Sequence, residues 1–225
     1  MGNVLLSAEN ITKVYSNRRG KNTVLDGLSL QIEEGKFYTV EGESGSGKST
    51  LLSILAGLQK PDGGRVIYRK DKDERIISEL DDDSLSELRR HDIAYVPQNQ
   101  DILPTLNVRD NIRLVDCFDD WTDKNSEINN ESRLALILEQ LGISELEYEY
   151  PSELSGGELR RVCIARTLYA APKIVLADEP TNDLDKDNRD KLRNIFLEIA
   201  DKGVGVVVVT HDPELAEYAD ERISL

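Results

Sequence analysis

The sequence predicts an α/β chain with a mainly parallel sheet, an antiparallel β subdomain at its N-terminal end and a helical subdomain inserted between core strands. Three observations predict it. The apolar run Phe37-Tyr38-Thr39-Val40 passes through a glycine-rich stretch, Gly42-Glu43-Ser44-Gly45-Ser46-Gly47-Lys48-Ser49-Thr50, into the helix-like Leu51-Leu52-Ser53-Ile54-Leu55-Ala56. Two apolar runs near the C-terminus, Ile174-Val175-Leu176-Ala177 and Gly205-Val206-Val207-Val208-Val209, are joined by a segment in which Leu192, Ile195, Phe196 and Ile199 repeat at helical spacing. Apolar strands linked by such a crossover imply a parallel sheet covered on both faces. From Asn99 to about Arg166 the pattern is mainly helical.

Taken in order, Leu28, Leu30 and Ile32 share one face in the strand period, and Glu33-Glu34-Gly35-Lys36 supplies a turn before Phe37, a pattern read as antiparallel sheet. Pro61-Asp62-Gly63-Gly64 turns into the strand-like Arg65-Val66-Ile67-Tyr68, followed by a polar segment over 69–75. Asp81-Asp82-Asp83 opens a helix through Ser84-Leu85-Ser86-Glu87-Leu88-Arg89, its acids near the positive end of the dipole. Ile93-Ala94-Tyr95-Val96 is a short buried strand. Within the helical stretch Arg133-Leu134-Ala135-Leu136-Ile137-Leu138-Glu139 is the clearest segment, and the polar piece 119–132 with Trp121 reads as a flexible connection with one anchoring aromatic. Gly203 lies just past the end of the last long helix. The chain is expected to form a single domain, with the core and β subdomain over about 1–98 and 167–225 and the helical subdomain over about 99–166.

Composition narrows the function classes. The 225 residues are 39% hydrophobic and 32% charged, as in an ordinary globular protein with a substantial core. A net charge of −15 argues against broad binding to nucleic acid or anionic lipid. The nearest approaches to a basic patch, Asn17-Arg18-Arg19-Gly20-Lys21 and Arg160-Arg161, are short, and the first reads as a solvated hairpin tip. Cys117 and Cys163 form no C-x-x-C pair, which suits reduced thiols used in packing. His91, with no motif around it, reads as a surface histidine. No apolar run approaches the roughly eighteen residues needed to cross a bilayer, and Met1-Gly2-Asn3-Val4 begins no secretion signal, so a cytoplasmic location is expected.

The glycine-rich stretch fits G-x-x-x-x-G-K-S/T. Its glycines let successive N–H groups turn inward toward phosphate oxygens, and the helix that comes next adds its positive end. Lys48 then neutralises β/γ-phosphate charge, and the Ser49 hydroxyl coordinates Mg²⁺. Asp178 and Glu179 come directly after a buried strand, so they emerge at its carboxyl end, where open α/β sheets place ligands. Asp178 is assigned to the Mg²⁺ shell and Glu179 to polarising a water for in-line attack on the γ-phosphate; the alternative is an acidic turn ending a strand. Leu154-Ser155-Gly156-Gly157-Glu158 has two readings. Ser155 with Glu158 satisfies a helix capping box. Gly156-Gly157, unfavourable at a helix start unless something approaches the backbone closely, suggest a second phosphate-sized anion site.

This order of motifs resembles the ATP-binding cassette (ABC) ATPases over essentially the whole chain, through L-S-G-G-E between a phosphate loop and an acid-ended strand. The resemblance implies a P-loop NTPase core of RecA-like type that hydrolyses ATP to ADP and phosphate. It implies that Tyr15 stacks on adenine, that Gln98 in Val96-Pro97-Gln98 touches Mg²⁺ and senses the partner, and that Asp185 in Asn182-Asp183-Leu184-Asp185 is the D-loop aspartate. His211 in Val209-Thr210-His211-Asp212 is similar to the switch histidine that contacts the γ-phosphate. Each has a plainer alternative: a strand end for Tyr15, a loop residue for Gln98, a strand cap for His211. In this family two cassettes stack head to tail, so Ser155, Gly156, Gly157 and Glu158 of one chain would close over ATP held by the other, making a homodimer the expected state.

Finer resemblance, to the lipoprotein-release and macrolide-export type, comes from Ile77-Ser78-Glu79-Leu80, Leu88-Arg89-Arg90, the segment 102–112 and Glu179-Pro180-Thr181-Asn182-Asp183-Leu184-Asp185. It implies an integral-membrane permease as partner, attachment at the inner face of the cell membrane, and export, lipoprotein release or force transmission as the driven process. This sequence departs from the group at Asn182-Asp183, where Gly-Asn is usual, and at Leu159, where Gln is common. The other class considered is a soluble cassette ATPase acting on iron–sulfur machinery or DNA; the absence of a long heptad repeat and of a basic surface weighs against DNA, and the segment 102–112 favours the membrane reading.

Overall fold

The chain begins with two long strands, β1 (Val4–Asn17) and β2 (Gly20–Glu33), which pair antiparallel from Val4 opposite Glu33 to Asn17 opposite Gly20. In this computed structural model the described residues are 3–17, 20–70, 73–118, 124–182 and 184–225, with backbone alone at 17 and 124–129. Arg18 and Arg19 of the expected hairpin tip, Trp121 and Asp183 lie outside them.

β3 (Phe37–Glu41) corrects one expectation. The turn after Glu33 does not return the chain along β2; it carries it into a second sheet, where β3 runs parallel between two neighbours. Alternating burial decides this: Tyr38 and Val40 join one apolar cluster and Phe37 the other, so β3 needs cover on both faces. The Tyr38 hydroxyl accepts the Glu33 N–H at 2.9 Å and ties the two sheets at the crossing point.

After α1 (Lys48–Leu55) come β4 (Gly63–Lys70) and β5 (Asp73–Ile76), which complete an antiparallel sheet of order β2-β1-β4-β5. α2 (Asp82–His91) opens as expected, with the Asp81 carboxylate accepting the Ser84 N–H at 2.8 Å, acids in its first turn and Arg89, Arg90 and His91 in its last. β6 (Ile93–Val96) then enters the parallel sheet at its edge.

The helical stretch holds α3 (Val108–Ile112), α4 (Lys124–Gln140) and α5 (Gly156–Tyr169). The supposed connection over 119–132 is helical from Lys124 onward. Docking of Leu134, Ile137 and Leu138 in the core overrides the polar composition of its first turns, and Asn130 is buried as well. Asn111 is fully buried and serves the preceding loop: its amide donates to the carbonyls of Leu103, Leu106 and Asn107 at 2.9–3.0 Å and accepts the Leu103 N–H at 2.9 Å. Cys163 is buried as expected. Cys117 is not: it is exposed, at the end of a 3₁₀ segment.

β7 (Ile174–Asp178), α6 (Lys186–Asp201), β8 (Gly205–Val209), α7 (Pro213–Ala216) and β9 (Glu221–Ser224) complete a five-stranded parallel sheet of order β6-β7-β8-β3-β9. Val207 and Val209 join the cluster that includes α1, α2 and the antiparallel sheet, while Val206 and Val208 join the one that includes α3 to α7, all fully buried. Each contributes about 1.5–3 kcal/mol by leaving water, enough to hold this sheet as a rigid platform.

Candidate functional site

Because the strands run parallel, the carboxyl ends of β6, β7, β8 and β3 lie side by side along one edge of the sheet. Each of these strand ends carries a residue marked out in the sequence: Gln98 after β6, Asp178 ending β7 with Glu179 after it, His211 after β8, and residues 42–50 after β3. Of these, Ser44, Gly45, Gly47, Lys48, Ser49, Thr50, Gln98, Glu179 and His211 line a cleft of about 300 Å³ together with Tyr15 and Val24.

Gly47 caps α1 with φ of 105°, and a Cβ there would come within 2.6 Å of Val24 Cγ1 and 2.9 Å of its carbonyl oxygen. Only glycine fits, so the loop lies against β2, and the first residues of α1, Lys48, Ser49 and Thr50, line the cleft. Buried Lys48 is anchored by its own loop: its ammonium donates to the carbonyls of Gly42 and Glu43, each at 2.8 Å. Glu43 and Ser46 close the loop through a backbone hydrogen bond of 3.2 Å.

Asp178 is 2% exposed, and that burial pushes its carboxyl above the usual range, opposed by a hydrogen bond from the Ser49 hydroxyl. A serine hydroxyl beside a buried aspartate, at the foot of a phosphate-shaped loop, is a set of hard oxygen donors. It fits Mg²⁺, which takes one or two protein oxygens and completes its shell from phosphate and water.

Glu179 sits in a backbone conformation that few non-glycine residues adopt, φ of 48°. Its N–H donates to the Val209 carbonyl at 3.0 Å, which pins the turn to the end of β8. Its carboxylate receives the Gln98 amide at 3.3 Å and the Asn182 amide, while His211 Nε2 lies 3.5 Å from its other oxygen. Tyr15 is 41% exposed at the mouth of the cleft, its hydroxyl bonded to the Gln59 side chain and 3.4 Å from the Thr50 hydroxyl.

Two of the marked groups stand outside the cleft. Asp185 caps α6, accepting the Asn188 N–H at 2.8 Å and its side-chain amide at 2.9 Å. Ser155 to Glu158 form the first turn of α5, where the capping box is realised in full: the Glu158 carboxylate accepts the Ser155 N–H and hydroxyl at 2.7 Å, and Ser155 Oγ accepts the Glu158 N–H at 3.4 Å. These bonds hold the Glu158 carboxyl below its usual range. The box does not account for Gly156, whose absent Cβ would meet nothing nearer than Gln100 Nε2 at 4.0 Å. Ser155 and Gly156 are exposed.

Arg160, part of one of the two short basic clusters in the sequence, is 2% exposed behind the cleft, and its guanidinium donates to five backbone carbonyls. The sequence does carry a signal for this: Arg160, Cys163, Ile164 and Thr167 recur at i, i+3, i+4 and i+7, and all four are buried. Asn182 is a further residue of the site that sequence reasoning misses; no pattern in the sequence shows that its amide turns back to Glu179.

A family profile described as ABC transporter matches residues 25–182. The chain is 37% identical, over its whole length and 96% of the relative, to a lipoprotein-releasing system ATP-binding protein, LolD, of Rickettsia felis. It is 35% identical to a macrolide export ATP-binding/permease protein, MacB 2, of Aeromonas hydrophila, matching along its whole length but covering 34% of that longer protein. Among solved structures it is similar to the ATP-binding cassette MJ0796 of Methanocaldococcus jannaschii, described as a dimer in a post-hydrolysis state bound to ADP and Pi, with TM-score 0.88 and 34% identity over 98% of this chain and 94% of that one.

Proposed function

This chain belongs to the ABC transporter family, and from that premise we propose that it works as one of two ATPase subunits on the cytoplasmic face of a membrane permease. It binds ATP and hydrolyses it to ADP and phosphate. The observation that carries the two-subunit reading is the division of its anion-binding parts. One phosphate cradle is complete within the chain, while the first turn of α5 stands outside that cleft, exposed at Ser155 and Gly156, and no contact among the described residues requires its Gly156 to be glycine.

In this reading Tyr15 stacks on adenine, the N–H groups of residues 42–50 cradle the phosphates, and Lys48 offsets their charge. Ser49, Asp178 and Gln98 hold Mg²⁺, which when bound neutralises charge on the transferring phosphoryl group. Glu179 orients the attacking water and takes its proton, with His211 beside it for the γ-phosphate. Ser155, Gly156, Gly157 and Glu158 of a second copy close the chamber and exclude water, and Asp185 borders the same interface. The names of the relatives support export or lipoprotein release as the work driven. Among the described residues no helix is long and apolar enough to cross a membrane.

Complementation tests the arrangement. Lys48→Ala breaks only the cradle and Ser155→Arg only the closing turn, so each variant alone is expected to be inactive. Mixed, they form a heterodimer with one intact chamber, and turnover is expected to return. If the mixture stays as inactive as its components while the wild type is active, the shared chamber is wrong. Affinity purification from detergent-solubilised membranes is expected to bring down an integral-membrane protein, and its consistent absence removes the permease.

A further inference from the structure

We propose that Arg160 is a positioning residue for hydrolysis, a clamp that holds the backbones of Gln98 and Glu179 against the helix whose first turn closes the partner's chamber. The proposal rests on the ATPase reading above.

The contacts are specific to two peptide segments. Arg160 Nη1 donates to the Pro97 carbonyl at 2.5 Å and the Gln98 carbonyl at 3.1 Å, the peptide groups on either side of Gln98. Nη2 donates to the Asp178 carbonyl at 2.9 Å and the Glu179 carbonyl at 2.8 Å, the peptide groups on either side of Glu179, and Nε reaches the Pro180 carbonyl at 3.2 Å. The strained φ of 48° at Glu179 lies between the two carbonyls that Nη2 holds. A sparsely populated backbone state persists only where its surroundings over-determine it, and these bonds do so.

Charge makes the clamp stiff. A buried cation without partners is costly, and here five carbonyl dipoles compensate it, so none can be released cheaply. Only guanidinium presents donors in a planar fork able to bridge two chain segments at once; a lysine ammonium is a compact point charge. Arg160 is five residues beyond Ser155 on α5, about 7.5 Å along a rigid helix. Force applied where a partner's nucleotide meets the first turn of α5 therefore reaches both Gln98 and Glu179 through this side chain, while the Gln100 amide, which donates to the Gly156 carbonyl at 2.7 Å, links that turn to the first segment alone. None of these five guanidinium hydrogen bonds goes to the loop residues 42–50.

Arg160→Gln and Arg160→Lys test this. Both are expected to remain folded by thermal melt and to bind ATP within about threefold of wild type. Misplacement of the attacking geometry is expected to lower kcat about 10- to 100-fold with KM unchanged, less in the lysine variant, which keeps the charge. In the nucleotide-free protein, amide hydrogen exchange is expected to rise about tenfold or more at residues 97–100 and 178–182, a readout independent of turnover. Four outcomes overturn the clamp: wild-type kcat, equal loss of kcat and nucleotide affinity, unchanged exchange at both segments, or unfolding of both variants, which would make the role purely structural. Glu179→Gln run alongside separates the two readings. If the wild type fails to hydrolyse ATP, the ATPase assignment falls; if Glu179→Gln hydrolyses it normally, Glu179 is not the base and the clamp has no catalytic group to position; if Glu179→Gln is inactive and Arg160→Gln is not, only the clamp falls.

Discussion

The cleft after β3 and the first turn of α5 use the same physics, backbone N–H groups gathered at a helix start, yet they are built to opposite ends. In the cleft every element turns inward: Gly47 packs against Val24, Lys48 bonds its own loop, and Glu179 is held by Gln98 and Asn182. At α5 the turn faces outward, and what satisfies it is its own Glu158. The difference is what the proposed arrangement requires, a single chain completing one half of a reaction chamber and lending the other to a second copy.

Breaking the inward half has the largest consequence. Glu179→Gln is expected to lower turnover about 10²- to 10⁴-fold while ATP affinity is kept, and to trap an ATP-dependent dimer visible by size exclusion with light scattering. Tyr15→Ala removes the stacking surface at the mouth of the cleft and is expected to weaken nucleotide binding by about 1–3 kcal/mol in calorimetric titration, whereas Tyr15→Phe keeps it. On the outward half, Ser155→Ala removes a cap and is expected to cost about 1 kcal/mol of stability in denaturant unfolding, with ATP affinity unchanged.

The smallest effect sharpens the comparison through pH. Burial raises the Asp178 carboxyl above its ordinary 3.8, so its contribution to stability is fullest below that value and is lost as pH rises through the raised one. At neutral pH the buried charge is a net penalty. Asp178→Asn is therefore expected to melt higher than wild type at pH 7 without nucleotide, to lose that advantage below about pH 4, and to lose Mg²⁺-dependent hydrolysis. A variant less stable than wild type at pH 7 contradicts the sign.

Legibility falls with sequence distance. Residues 42–50 are readable because the loop's conformation is written in contiguous glycines, and the buried strands because their runs are wholly apolar. The turn into β3 misleads because hairpin and sheet-to-sheet crossing share the same turn residues; only alternating burial on both faces distinguishes them. Arg160 and Arg161 look alike as a pair, and the helix face decides that Arg160 is a buried clamp, with partners that lie 18 to 63 residues away. The polar start of α4 misleads because tertiary docking at Leu134 and Leu138, not local propensity, holds it helical.

The two short bonds that hold Lys48 have a thermodynamic corollary. A lysine left free in solution gives up as much as about 2 kcal/mol of rotamer entropy when it is immobilised. Here that loss is incurred when the chain folds, so an arriving triphosphate meets an ammonium already aimed, and complex formation carries no such entropic toll at this side chain.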